Sequence, residues 1–194
     1  MKRNWEIMDL KKIEKVCEGK YITRYDLTYN TENNHLKVYE MISRNHDIKT
    51  KDDLNNGKVD AVVLIIHSVN GERILLNREY RLAAGEWVYN FPAGLIDEGE
   101  TPDESAKREL KEETGLELIC IDDHIGESYS AVGFSNEKNV CIVGKAKGNI
   151  TKSDSEYEEI KAAWYTKKEV KKLLSECIFA GRTQAYCYLW SRQG

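Results

Sequence analysis

The stretch Gly94–Leu116, GLIDEGETPDESAKRELKEETGL, constrains this chain more than any other. It reads as a loop followed by a short helix whose two ends are marked. Thr101 is placed as N-cap, and Glu104, three residues on, can reach back to it to make a capping box. Pro102 falls at the first helical position, where its missing N–H costs nothing. Gly115 is placed to stop the helix in a left-handed conformation. Ala106 and Leu110 form an apolar stripe for a core. Glu109, Glu112 and Glu113, spaced i, i+3, i+4, crowd a different face. Like charges at that spacing repel, and a bare Glu-Glu pair reads as a solvated acidic face. A divalent cation reverses the sign, because carboxylate oxygens completed by waters and substrate phosphates are what Mg²⁺ or Mn²⁺ takes.

The spacing of the whole stretch goes further. Gly94 is followed by five residues and Glu100, then by seven residues and Arg108-Glu109-Leu110, Glu112-Glu113 and Gly115-Leu116. Every fixed position of the Nudix box is met, and the chain resembles a Nudix hydrolase. The resemblance implies an α+β Nudix fold, a mixed β-sheet sandwich flanked by helices, acting on a nucleoside diphosphate linked to some other group. Mg²⁺ is the implied cofactor, with Mn²⁺ an alternative. Glu109 and Glu113 would be its principal ligands, with Glu112 and the backbone carbonyl of Ala93 assisting. Arg108 would hold those glutamates in orientation, Glu100 would be structural or peripheral, and Gly94 would let the loop approach closely.

The 194 residues suffice for one domain, or one domain with an extension, and for a core without staples. Net charge is −4, from 29 basic and 33 acidic residues well mixed, so no basic face advertises nucleic acid. The N-terminal MKRNWEIMDLKKIEK has no apolar core of a signal peptide, and no run approaches a membrane span. Five cysteines without CxxC spacing, most among apolar neighbours, read as reduced, buried thiols. A cytoplasmic location is expected.

The chain divides into residues 1–57, an N-terminal β extension, and residues 58–194, which hold the box. The extension contains strand-like Tyr21–Thr28 and His35–Ser43 around a turn-rich Asn30–Asn34, a hairpin too small to stand alone. Asp60–Ser68, holding the longest apolar run, is expected as a buried strand, turning at Asn70-Gly71 into a strand Arg73–Asn77. Arg78 and Arg81 are two guanidiniums suited to bidentate grip on phosphate, or else surface arginines at a strand end. Trp87, Tyr89 and Phe91 alternate and share a face, for core packing first and base stacking second. Short strands are expected over Leu116–Asp122 and Ile125–Tyr129, and further ones over Asn139–Lys147 and Ile160–Tyr165, with Gly148–Tyr157 polar. Thr166 and Glu169 make a second capping box, opening a helix to about Cys177. A last helix, Gly181–Arg192, offers Ala185, Tyr188, Leu189 and Trp190 for packing.

Arg78–Ala84, Phe91–Glu100 and Gly133-Phe134-Ser135-Asn136-Glu137 resemble the ADP-ribose pyrophosphatase branch of the family. That resemblance implies hydrolysis of ADP-ribose to AMP and ribose 5-phosphate. Arg78, Arg81, Gly133 and Glu137 would be substrate contacts, and the N-terminal strands would serve a homodimer. The catalytic base of the branch lies late in the chain, which points to Glu156, with Glu158 as a further ligand or the base itself. The branch usually carries a proline where Val132 stands, so another nucleoside diphosphate sugar fits the same framework. A nucleoside polyphosphate substrate, or a module that senses a nucleotide sugar, are the alternatives. The full carboxylate set and the lack of a basic DNA-binding extension favour the enzyme, with no nucleic-acid or membrane partner.

Overall fold

A computed structural model describes residues 8–55, 57–153 and 159–193. The chain forms two units, Met1–Val59 with Ser128–Asn139, and Asp60–Glu127 with Val140–Gly194.

The first unit is built on an antiparallel sheet of β1 (Asp9–Glu18), β2 (Thr23–Asn30) and β3 (Leu36–Ser43), with β2 central. On β2 the pattern has period two. Thr23, Tyr25 and Leu27 are buried while Arg24, Asp26 and Thr28 are not. Tyr25, Leu27, Met41 and Ile48 form the core, with Leu10, Ile13, Tyr29 and Tyr39 packed against it. The buried Tyr25 hydroxyl donates to the Asn45 carbonyl at 2.9 Å and accepts from the Ile48 amide at 3.2 Å, so its burial leaves no polar atom stranded. β1 was not expected from the sequence. Its apolar residues Leu10, Ile13 and Val16 are spaced by three because register shifts fall at Leu10/Lys12 and Lys15/Cys17. A bulge inserts a residue and breaks strict alternation. This third strand gives the expected hairpin the extra partner a small sheet needs. Ser128–Asn139 belongs to the same unit, and its Phe134 carbonyl accepts from the Ile42 amide at 2.8 Å.

The second unit contains β4 (Ala61–Ser68), β5 (Arg73–Arg81), β6 (Glu86–Asn90), β7 (Ala93–Leu95), α1 (Pro102–Thr114), all but the last two residues of β8 (Glu117–Tyr129), all but the first two of β9 (Lys138–Lys147), β10 (Ile160–Thr166), α2 (Lys167–Glu176) and α3 (Gly181–Trp190). The sheet runs β10-β5-β4-β9-β8, with β6 on β5 and β7 on β4. β4 is buried on both faces, which explains its unbroken apolar run. Val63 and Ile65 join Ile74, Leu76, Tyr89 and Phe91 in one cluster with Val170 of α2 and Cys187 and Trp190 of α3. The alternate residues Val62, Leu64, Ile66 and Leu75 are equally buried, and α1 contacts β4 and β7 with Ala106 and Leu110 fully enclosed. Burying each such aliphatic side chain stabilises the fold by roughly 1.5–3 kcal/mol. This mixed α+β arrangement has the sheet and helix content the resemblance implied.

Four expectations need correction. β5 runs four residues beyond Asn77, to Arg81. β8 is one continuous strand rather than two, because the polar Asp122-Asp123-His124 lies on a largely exposed strand at the end of the sheet order, where charge is tolerated. On α3 the residues turned inward are Thr183, Cys187 and Trp190, which follow a helical period, while Ala185, Tyr188 and Leu189 are exposed. All five thiols are free, but only Cys141 and Cys187 are buried, and Cys17 and Cys120 are exposed. Burial raises the Cys187 thiol to about 12. Among the described residues no helix is long and apolar enough to cross a membrane.

Candidate functional site

α1 begins as its sequence dictates. The Thr101 hydroxyl accepts from the Glu104 amide at 3.3 Å, and Glu104 Oε2 accepts from the Thr101 amide at 2.9 Å. Pro102 is the first helical residue. Gly115 closes the helix at φ 75°, with its amide donating to the Lys111 carbonyl.

The loop that enters this helix and the strand before the loop carry the partners of its charged face. A Cβ on Gly94 would lie 1.9 Å from Cδ of Glu109 and 2.0–2.2 Å from its carboxylate oxygens. The Glu109 carboxylate therefore occupies the volume a side chain at position 94 would need, which is why glycine stands there. Gly94 itself is fixed by pairing of β7 with β4, opposite Val62, with Ala93 opposite Val63.

Arg108 ties loop to helix. Its Nε and an Nη donate to the two oxygens of Glu100 at 2.8 and 2.7 Å, a bidentate pair, and the same Nη reaches the Leu95 carbonyl at 2.9 Å. The other Nη donates to Glu109 Oε1 at 2.7 Å and, more weakly, to Glu112 Oε2 at 3.4 Å. The guanidinium holds Glu100 down at about 2. Glu109 is shifted the other way. Burial pushes its carboxyl up, against the pull of Arg108, and the neighbouring charges of Glu112 and Asp97 add to the rise. A buried carboxylate with too little positive charge nearby gains from a cation.

Glu113 is also buried, and its Oε2 accepts from Asn77 Nδ2 of β5 at 2.7 Å. Glu112 is exposed and bonded to Arg108. Glu109 and Glu112 are thus held by Arg108 and Glu113 by Asn77, and among the described residues no three acidic, histidine or cysteine side chains come together as a closed metal cage. The donor set of hard oxygens and the glycine-made cradle fit an open divalent-cation site, in which waters and substrate oxygens fill the remaining positions.

The two arginines upstream part company. Along β5, Asn77, Glu79 and Arg81 alternate with Arg78 and Tyr80, so they lie on opposite faces. Arg81, at 3.5 Å from Glu79, is on the side of Asn77 and hence of Glu113. The nearly buried Glu79 accepts in turn from Asn90 at 2.9 Å. Arg78 lies on the other face, 5.0 Å from the Trp87 ring centroid, and Lys161 sits at the same distance. Tyr89 and Phe91 pack in the core as expected, and Trp87 is half-buried beside Tyr80.

Gly133 and Glu137 belong to the first unit. The Gly133 carbonyl accepts from the Tyr39 hydroxyl, and the Glu137 carboxylate pairs with Arg44 at 2.5 Å. Glu137 lines a cavity of about 150 Å³, where it and Arg44 meet Ile22, Ser130 and Phe134. Val132 is at the second position of a turn closed by the Phe134 amide on the Ala131 carbonyl at 3.0 Å. Proline suits that position because its φ is preset, which gives a conformational reason for a proline there. Glu156 and Glu158 lie outside the described residues.

Sequence reasoning missed Asn77, Glu79, Asn90 and Arg44. The one available signal was a polar residue, Asn77, closing the aliphatic run Ile74-Leu75-Leu76.

Comparison with known proteins adds a family to this geometry. The NUDIX domain matches residues 57–183, well over half of the chain. The mouse ADP-sugar pyrophosphatase is 25% identical over 159 residues, covering 76% of this chain and 69% of that protein. The ADP-ribose pyrophosphatase of Saccharomyces cerevisiae is 29% identical over 142 residues, covering 71% of this chain and 58% of its own length. The match spans only 44% and 55% of two further Nudix hydrolases, from Caenorhabditis elegans and Schizosaccharomyces pombe. A crystal structure of an ADP compounds hydrolase superposes with a TM-score of 0.72 over 98% of this chain and 95% of that one, at 20% identity, and so shares the fold.

Proposed function

The chain belongs to the NUDIX domain family, and from that premise we propose that it hydrolyses the pyrophosphate bond of a nucleoside diphosphate sugar, with ADP-ribose, cleaved to AMP and ribose 5-phosphate, as the leading substrate. The observation that carries the reading is the seat of Glu109 against Gly94, with Arg108 bound to Glu100, Glu109 and Glu112 and with Glu113 on Asn77. The likeness to the mouse ADP-sugar pyrophosphatase and the yeast ADP-ribose pyrophosphatase supports the substrate class.

Glu109, Glu112, Glu113 and the Ala93 carbonyl would hold the cation, with Mg²⁺ the expected metal and Mn²⁺ a substitute. When bound, such a cation neutralises the pyrophosphate and polarises phosphorus. The protein's own part is positioning and charge. Arg108 keeps Glu109 and Glu112 aimed, and it does so from a guanidinium already anchored to Glu100. Arg81 offers a guanidinium on the Asn77 face of β5 to a phosphate oxygen. Arg78, Gly133 and Glu137 are further substrate contacts in this reading. Glu156 or Glu158 accepts the proton of the attacking water, whose oxygen forms the new bond to phosphorus as the bridging oxygen departs. One of Glu156→Gln and Glu158→Gln is expected to cost roughly 10²-fold in kcat and the other much less; near-parental rates in both would remove this assignment.

The proposal extends to a cytoplasmic homodimer formed through residues 1–57, supported by exposed apolar side chains at Leu36 and Val38 on the outer strand β3. Light scattering would test it.

The decisive experiment is a Mg²⁺-supplemented panel of ADP-ribose, ADP-glucose, GDP-mannose, UDP-glucose, NADH and diadenosine polyphosphates, with phosphate release coupled through alkaline phosphatase. Nucleoside triphosphates are read separately through pyrophosphate. A dominant ADP-ribose signal abolished by Glu113→Gln is expected. Preference for another sugar would direct attention to Val132, and a flat panel from a folded protein would overturn the enzyme reading in favour of a sensor.

A further inference from the structure

Asn77 sits in the middle of β5 with none of its surface exposed. The three residues before it, Ile74, Leu75 and Leu76, are aliphatic and fully buried. An amide at the next position takes two polar groups out of water, and each must find a partner or destabilise the fold. Nδ2 does, at 2.7 Å from Glu113 Oε2. Oδ1 is buried with no hydrogen-bond partner among the described residues. For packing alone, an aliphatic side chain of similar volume would serve the strand better. What remains to justify an amide is its bond to Glu113.

We propose that Asn77 is a positioning residue of the cation site, holding the plane and rotamer of the Glu113 carboxylate from the sheet side. The inference rests on the reading of Glu113 as a cation ligand. Glu109 and Glu113 are four residues apart on one face of α1, yet each is seated by a different strand. Glu109 is seated by Gly94 of β7 and by Arg108, and Glu113 by Asn77 of β5. A glutamate has three side-chain torsions, so one charge-assisted bond from a rigid strand removes much of the freedom that a ligand must otherwise lose on binding. Outer partners of metal ligands act in this way.

The test is Mn²⁺ titration of the substrate-free protein, with free Mn²⁺ followed by electron paramagnetic resonance, so that turnover plays no part. Asn77→Val is expected to raise the Kd for Mn²⁺ by about 10–100-fold. Glu113→Gln should raise it at least as much, and the double variant Asn77→Val/Glu113→Gln should be no weaker than Glu113→Gln alone, because one residue acts through the other. If Glu113→Gln binds Mn²⁺ as the parent does, Glu113 is not a ligand and the underlying reading fails. If Glu113→Gln weakens binding while Asn77→Val does not, or if the two losses add, the positioning role is overturned. Should Asn77→Val not fold, the parent decides the matter. The Asn77 side-chain amide resonances, identified through Asn77→Ser, are expected to shift on titration with Mg²⁺, and unmoved resonances would overturn the proposal.

Discussion

Helices α1 and α2 are started by the same device. In each a threonine hydroxyl accepts from the amide of a glutamate three residues on, and that glutamate's carboxylate accepts from the threonine amide. Beyond the first turn they diverge. α1 turns Glu109 against Gly94, Glu113 against Asn77 and Arg108 against Glu100. α2 buries Val170 and presents Lys171, Lys172 and Glu176 to solvent, where the Lys172–Glu176 pair at 3.9 Å is a loose surface contact. A cap tells where a helix begins. What the helix does depends on what the rest of the chain places against its later turns.

The comparison can be broken most directly by removing charge from each helix. Glu113→Gln in α1 is expected to lower kcat by roughly 10²–10³-fold, since several kcal/mol of charge stabilisation is at stake and each 1.4 kcal/mol is a factor of ten. Glu176→Gln in α2 should leave kcat within twofold. Equal losses in steady-state assays would show that α1 is not special. Next in size is Gly94→Ala. Its Cβ must displace the Glu109 carboxylate, an overpacking that costs about 1–3 kcal/mol in urea unfolding, and activity should fall more than tenfold as the carboxylate loses its seat.

The shared device itself sharpens the contrast. Thr101→Ala and Thr166→Ala should each cost about 0.5–2 kcal/mol, since each removes one N-cap. Thermal melts should shift by about 2–4 °C per kcal/mol for a chain of this size. Activity should respond to Thr101→Ala alone. A Thr166→Ala variant with lowered kcat at a temperature where it is folded would tie α2 to the site.

The smallest effect separates the helical layers by pH. His67 of β4 bonds the Tyr186 hydroxyl at 3.0 Å and packs on Trp190 of α3, and burial lowers its pKa from 6.5. A folded state that holds histidine neutral has this stability in full above pH 6.5 and loses it as pH falls below that value. Glu100, held at about 2 beside α1, contributes stability that is present above about 4.5 and lost as pH falls towards 2. Acidification from pH 7 to 5 should therefore lower the melting temperature through His67, and His67→Gln should flatten that interval. The same slope in parent and variant would assign it elsewhere.

The parts legible in the sequence share a property. The caps of α1 and α2, the turn into β5 and the alternation of β2 are each written within a few residues, where backbone geometry leaves few choices. The parts that were misread involve a partner. β1 escaped because two register shifts against β2 break its period. The sequence suggests a break in β8 at Asp123-His124, because nothing local says that this strand is exposed enough to carry charge through its middle. Ala185, Tyr188 and Leu189 suggest packing because they are apolar, whereas the structure buries the 183, 187, 190 stripe of α3.

The same division runs through the candidate site. The residue order alone determined that a helix starts after Thr101 and stops at Gly115, and that Glu109, Glu112 and Glu113 cluster on it, because 3.6 residues per turn permits no other outcome. It also placed Arg78 and Arg81 three apart, which on an extended strand means opposite faces. Only the tertiary structure decided that β5 extends as far as Arg81, that the Asn77 face of that strand meets Glu113, 36 residues away, and that Glu109 fills the space left by Gly94. Those contacts depend on which strands pair and which face of the sheet meets α1. Such choices are made by burial summed over the whole domain, and no short stretch of the chain contains them.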